Sequence, residues 1–255
     1  MLREIRTAAE LLNWRKIGVR LGDCPLCGRT GFVKLDDYEM AVRCLRCRSS
    51  AATLSFVSVL KGILPDLSHR HVYELSSRGP LVAYLRRHAG KLTLSEYFDN
   101  VPPGQYKAGV QCQDVQQLTY PDSCFDVCTS TEVFEHVPRD LEGFRELHRV
   151  LRPGGCLLFT VPMDGGEKTV ERARLVNGRL EHLLPPEYHG DRIRGSGAVL
   201  CFRNYGTDIL DRLGAAGFSR RRLVRGEDVT GWGFDRQVVV ARKQALGASE
   251  RPQFF

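Results

Sequence analysis

The sequence predicts an α/β protein, a mostly parallel sheet with helices on both faces, joined to a small N-terminal metal-binding module. Three observations carry this. From residue 71 onward, short apolar runs bounded by turn residues alternate with segments of helical period. Near the N-terminus, two close cysteine pairs are separated by 16 residues. The 255 residues, 42% hydrophobic and 26% charged, suffice for one sizeable core with an appendage rather than two equal domains.

The opening "MLREIRTAAELLNWRKIGVR" reads as a short amphipathic helix with Ile5, Ala8, Ala9, Leu11 and Leu12 on its apolar face. Its alternating charges and lack of a long apolar stretch predict no secretory leader. "CPLCG" (24–28) and "CLRC" (44–47) then form C-x2-C-x16-C-x2-C. Each pair lets two thiolates converge on one ion, and the intervening residues suit a hairpin that brings the pairs face to face. Four sulfurs in tetrahedral array select zinc, or less often iron. Cys24, Cys27, Cys44 and Cys47 are therefore expected to be structural zinc ligands, and two matched pairs argue against a redox dithiol. Arg43, Arg46 and Arg48 flank the second pair, leaving two roles open for the ribbon: nucleic-acid contact, or a docking or lid module. "SSAATLSFVSVLKGIL" follows as a helix capped by Ser49 or Ser50, with Leu54, Val57 and Leu60 inward.

The body begins with "HVYEL" (71–75), a buried-type strand that turns through "SSR" into a helix over 79–90, with Pro80 suited to its first turn. Strands are expected at 91–98, 109–114, 125–133, 156–162 and 237–243. Helices are expected at 138–155, ending at Pro153-Gly154-Gly155, and at 207–218. On the first of these, Leu141, Phe144, Leu147 and Leu151 share a face. The organisation predicted is 1–50 helix and ribbon, 51–69 connecting helix, 70–243 main domain with a substrate-side insertion at 163–205, and 244–255 a loose tail.

The formal charge of +7 favours anionic partners without selecting one. Nine cysteines, an odd number without a leader, argue against a secreted disulfide framework and for a reducing cytoplasm. No run approaches the roughly 18 apolar residues of a membrane span, so no membrane partner is expected. "TEVFEHV" (131–137) places Glu132, Glu135 and His136 at i, i+3 and i+4, on one face if the segment is helical. Two carboxylates and an imidazole converging at a strand end suit a divalent ion. Acidic residues complementing a helix dipole are the alternative.

The strings "VYELSSRGP", "FDVCTSTEVFEHV", "RELHRVLRPGGCLLFTVP" and "LGAAGF" resemble, in order and spacing, a class I S-adenosylmethionine-dependent methyltransferase over roughly residues 70–242. They are most similar to O-methyltransferases of the ubiquinone-biosynthesis type (methyltransferase type 11), with the ribbon as an addition. The resemblance implies a Rossmann-like seven-stranded sheet, its last strand antiparallel, with S-adenosylmethionine across the ends of the first four strands. It carries the first-motif acid onto Glu74, the ribose-binding carboxylate onto Glu96, and the residue facing the adenine amino group onto Asp114. Ser76, Arg78, Gly79, Val115 and Thr131 join these as cofactor-binding candidates. Family loops read acidic-x-Gly-x-Gly-x-Gly, whereas here those three glycine positions hold Ser76, Arg78 and Pro80. Arg78 either folds over the methionine carboxylate or projects into solvent.

Ubiquinone-type and small-RNA 3′-terminal ribose methyltransferases bind Mg²⁺ or a similar ion with a Glu-x-x-Glu-His group, completed in the RNA enzymes by a later histidine. That implies a second metal on Glu132, Glu135 and His136. His182 or His189 would complete it, and His189 is favoured because Pro185-Pro186 stiffen its approach. His136, His189 and Glu135 are the catalytic candidates. The expected activity is methyl transfer to a hydroxyl of a small molecule or glycan. Two alternatives stand beside it: an RNA methyltransferase using the ribbon and "SRRRLVR" (219–225), and a non-catalytic scaffold with a degenerate loop.

Overall fold

The computed structural model describes residues 14–163, 165–190 and 197–246. The expected N-terminal helix over Ile5–Leu12 and most of the expected tail lie outside them. The described residues form two compact units, each drawn from several segments: those within 1–65, 78–84 and 224–238 make one, and those within 66–77, 85–223 and 239–255 the other. Among the described residues no helix is long and apolar enough to cross a membrane.

In the first unit, β1 (Gly18–Cys24), β2 (Gly28–Lys34) and β3 (Val42–Cys44) form an antiparallel ribbon, with Cys24 opposite Gly28 and Phe32 opposite Cys44. α1 (Ala51–Ile63) follows, capped by Ser50, whose hydroxyl accepts from the Thr53 N–H. Leu54, Val57 and Leu60 are all buried, as the helical period requires. The segment 226–236 packs on these elements. Arg236 N donates to the Ser55 hydroxyl at 2.9 Å, and the Arg20 guanidinium stacks 5.2 Å from the Trp232 ring. Asp228 organises that loop by accepting from the N–H groups of Thr230, Gly231 and Gly233.

The second unit is built around the large sheet. Its strands are β4 (His71–Glu74), β5 (Lys91–Glu96), β6 (Tyr106–Lys107), β7 (Val110–Cys112), β8 (Phe125–Thr131) and β9 (Leu151–Thr160). α2 (Pro80–His88) separates β4 from β5, and α3 (Asp140–Val150) separates β8 from β9. An insertion then adds β10 (Val170–Glu171), β11 (Ala173–Val176), β12 (Arg179–His182), β13 (Tyr188–Gly190), β14 (Ala198–Leu200) and β15 (Arg203–Asn204) in small antiparallel pairs. α4 (Ile209–Ala215), β16 (Arg220–Arg225) and β17 (Gln237–Arg242) close the chain. The sheet runs β16-β17-β9-β8-β4-β5-β7-β6. Its central pairings are parallel, and β17 is antiparallel to β9. This is the mostly parallel, Rossmann-like sheet expected, and ligand sites of such sheets lie at the carboxyl ends of the strands.

Two local expectations need correction. The sheet has eight strands, not seven, because β6 pairs back on β7. Ala108 (φ 49°) and Gly109 (φ 78°) make the two-residue turn between them, so Gly109 is turn and not strand. The helix expected to reach 155 ends at Val150. β9 starts there, pairing Leu151 with Phe125, and then leaves the ladder until Cys156 meets Val127. Gly154 (φ 79°) and Gly155 occupy this excursion, where a Cβ on Gly155 would lie 2.7 Å from the Arg152 carbonyl oxygen. A bulge tolerates Pro153 because it asks for no ladder hydrogen bond there. Phe144, Leu147 and Leu151 are fully buried beside Phe134 and Phe159, which fixes the ground on which the β8 end stands.

Candidate active site

Parallel register sets the first group of residues. β4 and β5 pair Glu74 with Leu94, so Glu74 and Glu96 finish neighbouring strands. Glu96 is 5% exposed, and its Oε1 accepts from both the N–H and the hydroxyl of Ser77 at 2.9 Å. The serine doublet thus ties the turn after β4 to the end of β5. Glu74 is 1% exposed, and the Thr129 hydroxyl donates to its Oε2. Burial, aided by the Glu96 charge, raises its carboxyl to about 8 against that hydrogen bond. Ser76 is half-buried in the same turn. Arg78 and Gly79 belong to the other compact unit, where Arg78 is exposed and Gly79 takes φ 103° at the entry to α2.

Beyond β5, a shallow cleft of about 360 Å³ is lined by Tyr97, Phe98, Val101 and Asp114 among others. Asp114 accepts from the backbone and side-chain nitrogens of Gln116. Val115 is 8% exposed and belongs to the core, so its side chain is no ligand group. Thr131 ends β8 opposite Thr160.

The second group gathers past the end of β8. The expected helical face over Glu132, Glu135 and His136 does not form. Only Phe134–His136 make a 3-10 turn, and Glu132 sits in the left-handed region at φ 54°. Glu135 and His136 stay together, with His136 Nε2 3.6 Å from Glu135 Oε1. Arg203, 3% exposed, donates to the carbonyls of Phe134, Val137 and Pro138, and so clamps this turn. Its charge is balanced by Glu171 at 3.1 Å and Asp140 at 3.7 Å. Arg203→Ala is expected to cost about 3–5 kcal/mol in urea unfolding by stranding the Phe134, Val137 and Pro138 carbonyls and leaving Asp140 and Glu171 with Arg212 as their remaining cation. A change below about 1 kcal/mol would refute the clamp.

The stretch after β14 lies against the turn, because Phe202 N donates to the Glu135 carbonyl at 2.7 Å. His136 Nδ1 donates to the Leu200 carbonyl at 2.9 Å, which fixes the tautomer and leaves Nε2 as the basic nitrogen. β13 pairs with β14, His189 opposite Val199, and carries His189 to the same place. Its Nδ1 is 3.8 Å from Glu135 Oε1, and its ring centroid is 5.0 Å from that of His136. Cys201 joins them, its Sγ 3.2 Å from His189 Nε2 and 3.9 Å from His136 Nδ1. Burial, with the charges of Glu135 and Glu187, pushes the Cys201 thiol up to about 12. His182 is exposed on the β11–β12 hairpin, opposite Ala173, and takes no part. Neither Glu132 nor Glu135 contributes a ligand atom to the group that His136, His189 and Cys201 form.

In the first unit the four ribbon cysteines converge. Cys24 and Cys47 stand 3.6 Å apart between sulfurs, as do Cys27 and Cys44, and all four lie within 4.8 Å of one another. A tetrahedron of sulfurs about 2.3 Å from zinc has edges of about 3.8 Å. The Cys47 N–H points at Cys44 Sγ, 3.4 Å away, and Arg46 donates to the Cys27 carbonyl at 2.9 Å. Arg46 therefore braces the knuckle.

Residues 66–159 match the family described as a methyltransferase domain. The match takes in a little over a third of the chain, and over it the chain is similar to that family. Among curated relatives, the 27-O-demethylrifamycin SV methyltransferase of Amycolatopsis mediterranei (strain S699) is 33% identical over 103 residues, 36% of this chain and 38% of that protein. The ubiquinone biosynthesis O-methyltransferase of Coxiella burnetii (strain RSA 493 / Nine Mile phase I) is 30% identical over 103 residues, 37% of this chain and 44% of that one. The chain thus spans less than half the length of these relatives. A solved S-adenosylmethionine-dependent methyltransferase from Mesorhizobium loti aligns over 74% of this chain and 98% of its own, with a TM-score of 0.47 and 17% identity.

The methyltransferase domain match includes Glu74, Glu96, Asp114 and the Glu135-His136 turn, and ends before His189 and Cys201. Sequence reading missed three residues of this region. Ser77 was legible as the second serine of a doublet beside the expected loop, Cys201 stood among scattered cysteines, and Arg203 carried no signal short of its fold partners.

Proposed function

We propose that the protein is an S-adenosylmethionine-dependent O-methyltransferase acting on a hydroxyl of a small molecule or glycan, with a divalent ion assisting at the second group. The observation that carries the reading is the convergence of Glu135, His136 and His189 past the carboxyl end of β8, beside the strand ends that bear Glu74 and Glu96. Residues for the cofactor fit: buried Glu96 at a strand end suits a ribose diol, and the cleft by Tyr97, Phe98 and Asp114 suits a flat base. When bound, S-adenosylmethionine supplies an electrophilic methyl group on a sulfonium. Glu96, held by Ser77, orients the nucleoside, and Asp114 offers an acceptor to an exocyclic amine.

A hydroxyl acceptor is a poor nucleophile at neutral pH. His136, His189 and Glu135 would hold a divalent ion there, which would supply Lewis-acid activation of the acceptor hydroxyl. Without an ion, His136 Nε2 or the partly exposed His189 would instead take the hydroxyl proton. The four-cysteine ribbon is proposed to hold one structural zinc.

Incubation with labelled S-adenosylmethionine and a panel of catechols, sugar diols and short RNAs, read by product mass, tests the reading. Transfer to a vicinal diol or catechol is expected, and loss of transfer by about 100-fold or more in His136→Ala. Glu96→Gln is expected to weaken binding of the demethylated cofactor by about 10- to 100-fold in calorimetry. No cofactor binding by the wild type would sink the enzyme reading.

A further inference from the structure

We propose that Cys201 is a metal ligand, and that with His136 and His189 it makes a centre for zinc or a similarly thiophilic transition ion rather than Mg²⁺. The inference rests on reading the Glu135–His136–His189 group as a metal centre, and it names the ion class that group takes.

One donor atom from each of His136, His189 and Cys201 falls within 4.8 Å of the others, the span of donors around a single ion. Glu135 stands beside this group and not in it, its Oε1 3.6 Å from His136 Nε2 and 3.8 Å from His189 Nδ1. Three groups of this kind brought together from a 3-10 turn, β13 and the end of β14 are not a packing accident of one local segment. The second nitrogen of His136 is tied to the Leu200 carbonyl, as the outer ring nitrogen of metal-ligating histidines usually is. Cys201 Sγ lies beside His189 Nε2, yet the residue is 1% exposed, so a free thiolate attacking substrate is excluded by access.

The donor set decides the metal. Mg²⁺ demands six hard oxygens and keeps its waters, whereas two imidazoles and a thiolate are soft to borderline donors. His189 is about a third exposed, so one side of the centre remains open for a substrate oxygen, the pattern of catalytic rather than structural sites.

The test uses the full chain. After zinc reconstitution and desalting, elemental analysis is expected to find about two zinc ions per wild-type chain and about one in Cys201→Ser. Co²⁺ added to protein whose ribbon retains zinc should produce a near-ultraviolet thiolate-to-cobalt band, absent in Cys201→Ser. Zinc affinity at this centre should fall by more than about 100-fold in the variant, beyond the effect of outer-shell changes. If Cys201→Ser fails to fold, the wild-type cobalt spectrum and competition by excess Mg²⁺ decide. Mg²⁺ displacing the ion, or cobalt bound without the thiolate band, overturns the inference while leaving metal-assisted transfer standing. A second zinc with no binding of the demethylated cofactor would uphold the centre and refute the methyltransferase reading instead.

Discussion

Replacing Cys44 with serine, or stripping the ion with a strong chelator, is expected to unfold the β1–β3 ribbon. The cost is set by the binding free energy of a structural zinc, roughly 10 kcal/mol or more at neutral pH. Few side chains would remain to hold it. Leu26, Phe32 and Val42 are the ribbon's buried apolar anchors, while Val19, Leu21 and Leu45 are exposed. Burial of three such side chains contributes about 5–9 kcal/mol, less than the chain entropy of ordering some 25 residues. Hydrogen exchange across residues 18–47 is the direct measurement, with protection expected to vanish on metal loss. Protection that survives complete removal would show that packing alone maintains the ribbon. Arg46→Ala is a milder probe, removing the bond to the Cys27 carbonyl without touching a sulfur.

The second large effect concerns pH. Glu74 has a carboxyl raised to about 8 from an ordinary 4.5 by burial and by Glu96. Between those values the folded chain keeps a proton that the unfolded chain has released. The stabilisation is therefore complete below about 4.5 and is lost as pH rises through 8. A shift of this size amounts to up to about 5 kcal/mol. Glu74→Gln keeps the shape and an acceptor for the Thr129 hydroxyl, but cannot ionise. Urea midpoints at pH 5 and pH 9 should separate much less for the variant than for the wild type, with the variant the more stable at pH 9. Equal pH slopes in both proteins would refute a protonated Glu74.

The strands and helices of the main sheet were legible because their information is local. "HVYE", "FDVCTST" and "QVVVAR" are apolar runs of strand length, and the spacing of Phe144, Leu147 and Leu151 leaves one helical face. The convergence of the cysteine quartet was legible too, since it is written in the spacing of the two pairs. Turn chemistry was read less well. Ala108 shares a left-handed turn with Gly109, and Pro153 with its two glycines forms an excursion within β9 rather than a helix stop.

The sequence by itself therefore determined the class of the sheet, the two buried acids at its strand ends and the meeting of the four ribbon cysteines. Tertiary structure alone decided which groups meet at the end of β8. Glu132 dropped out because the backbone turned left-handed there, and a 3-10 turn is too short to line up residues four apart. His189 came in through a strand pair, Cys201 through the Phe202–Glu135 bond, and Arg203 through carbonyls about 65–70 residues away. Periodicity reports what a residue's neighbours in sequence require of it. Contacts across such separations depend on how the insertion folds back, and no local pattern encodes that.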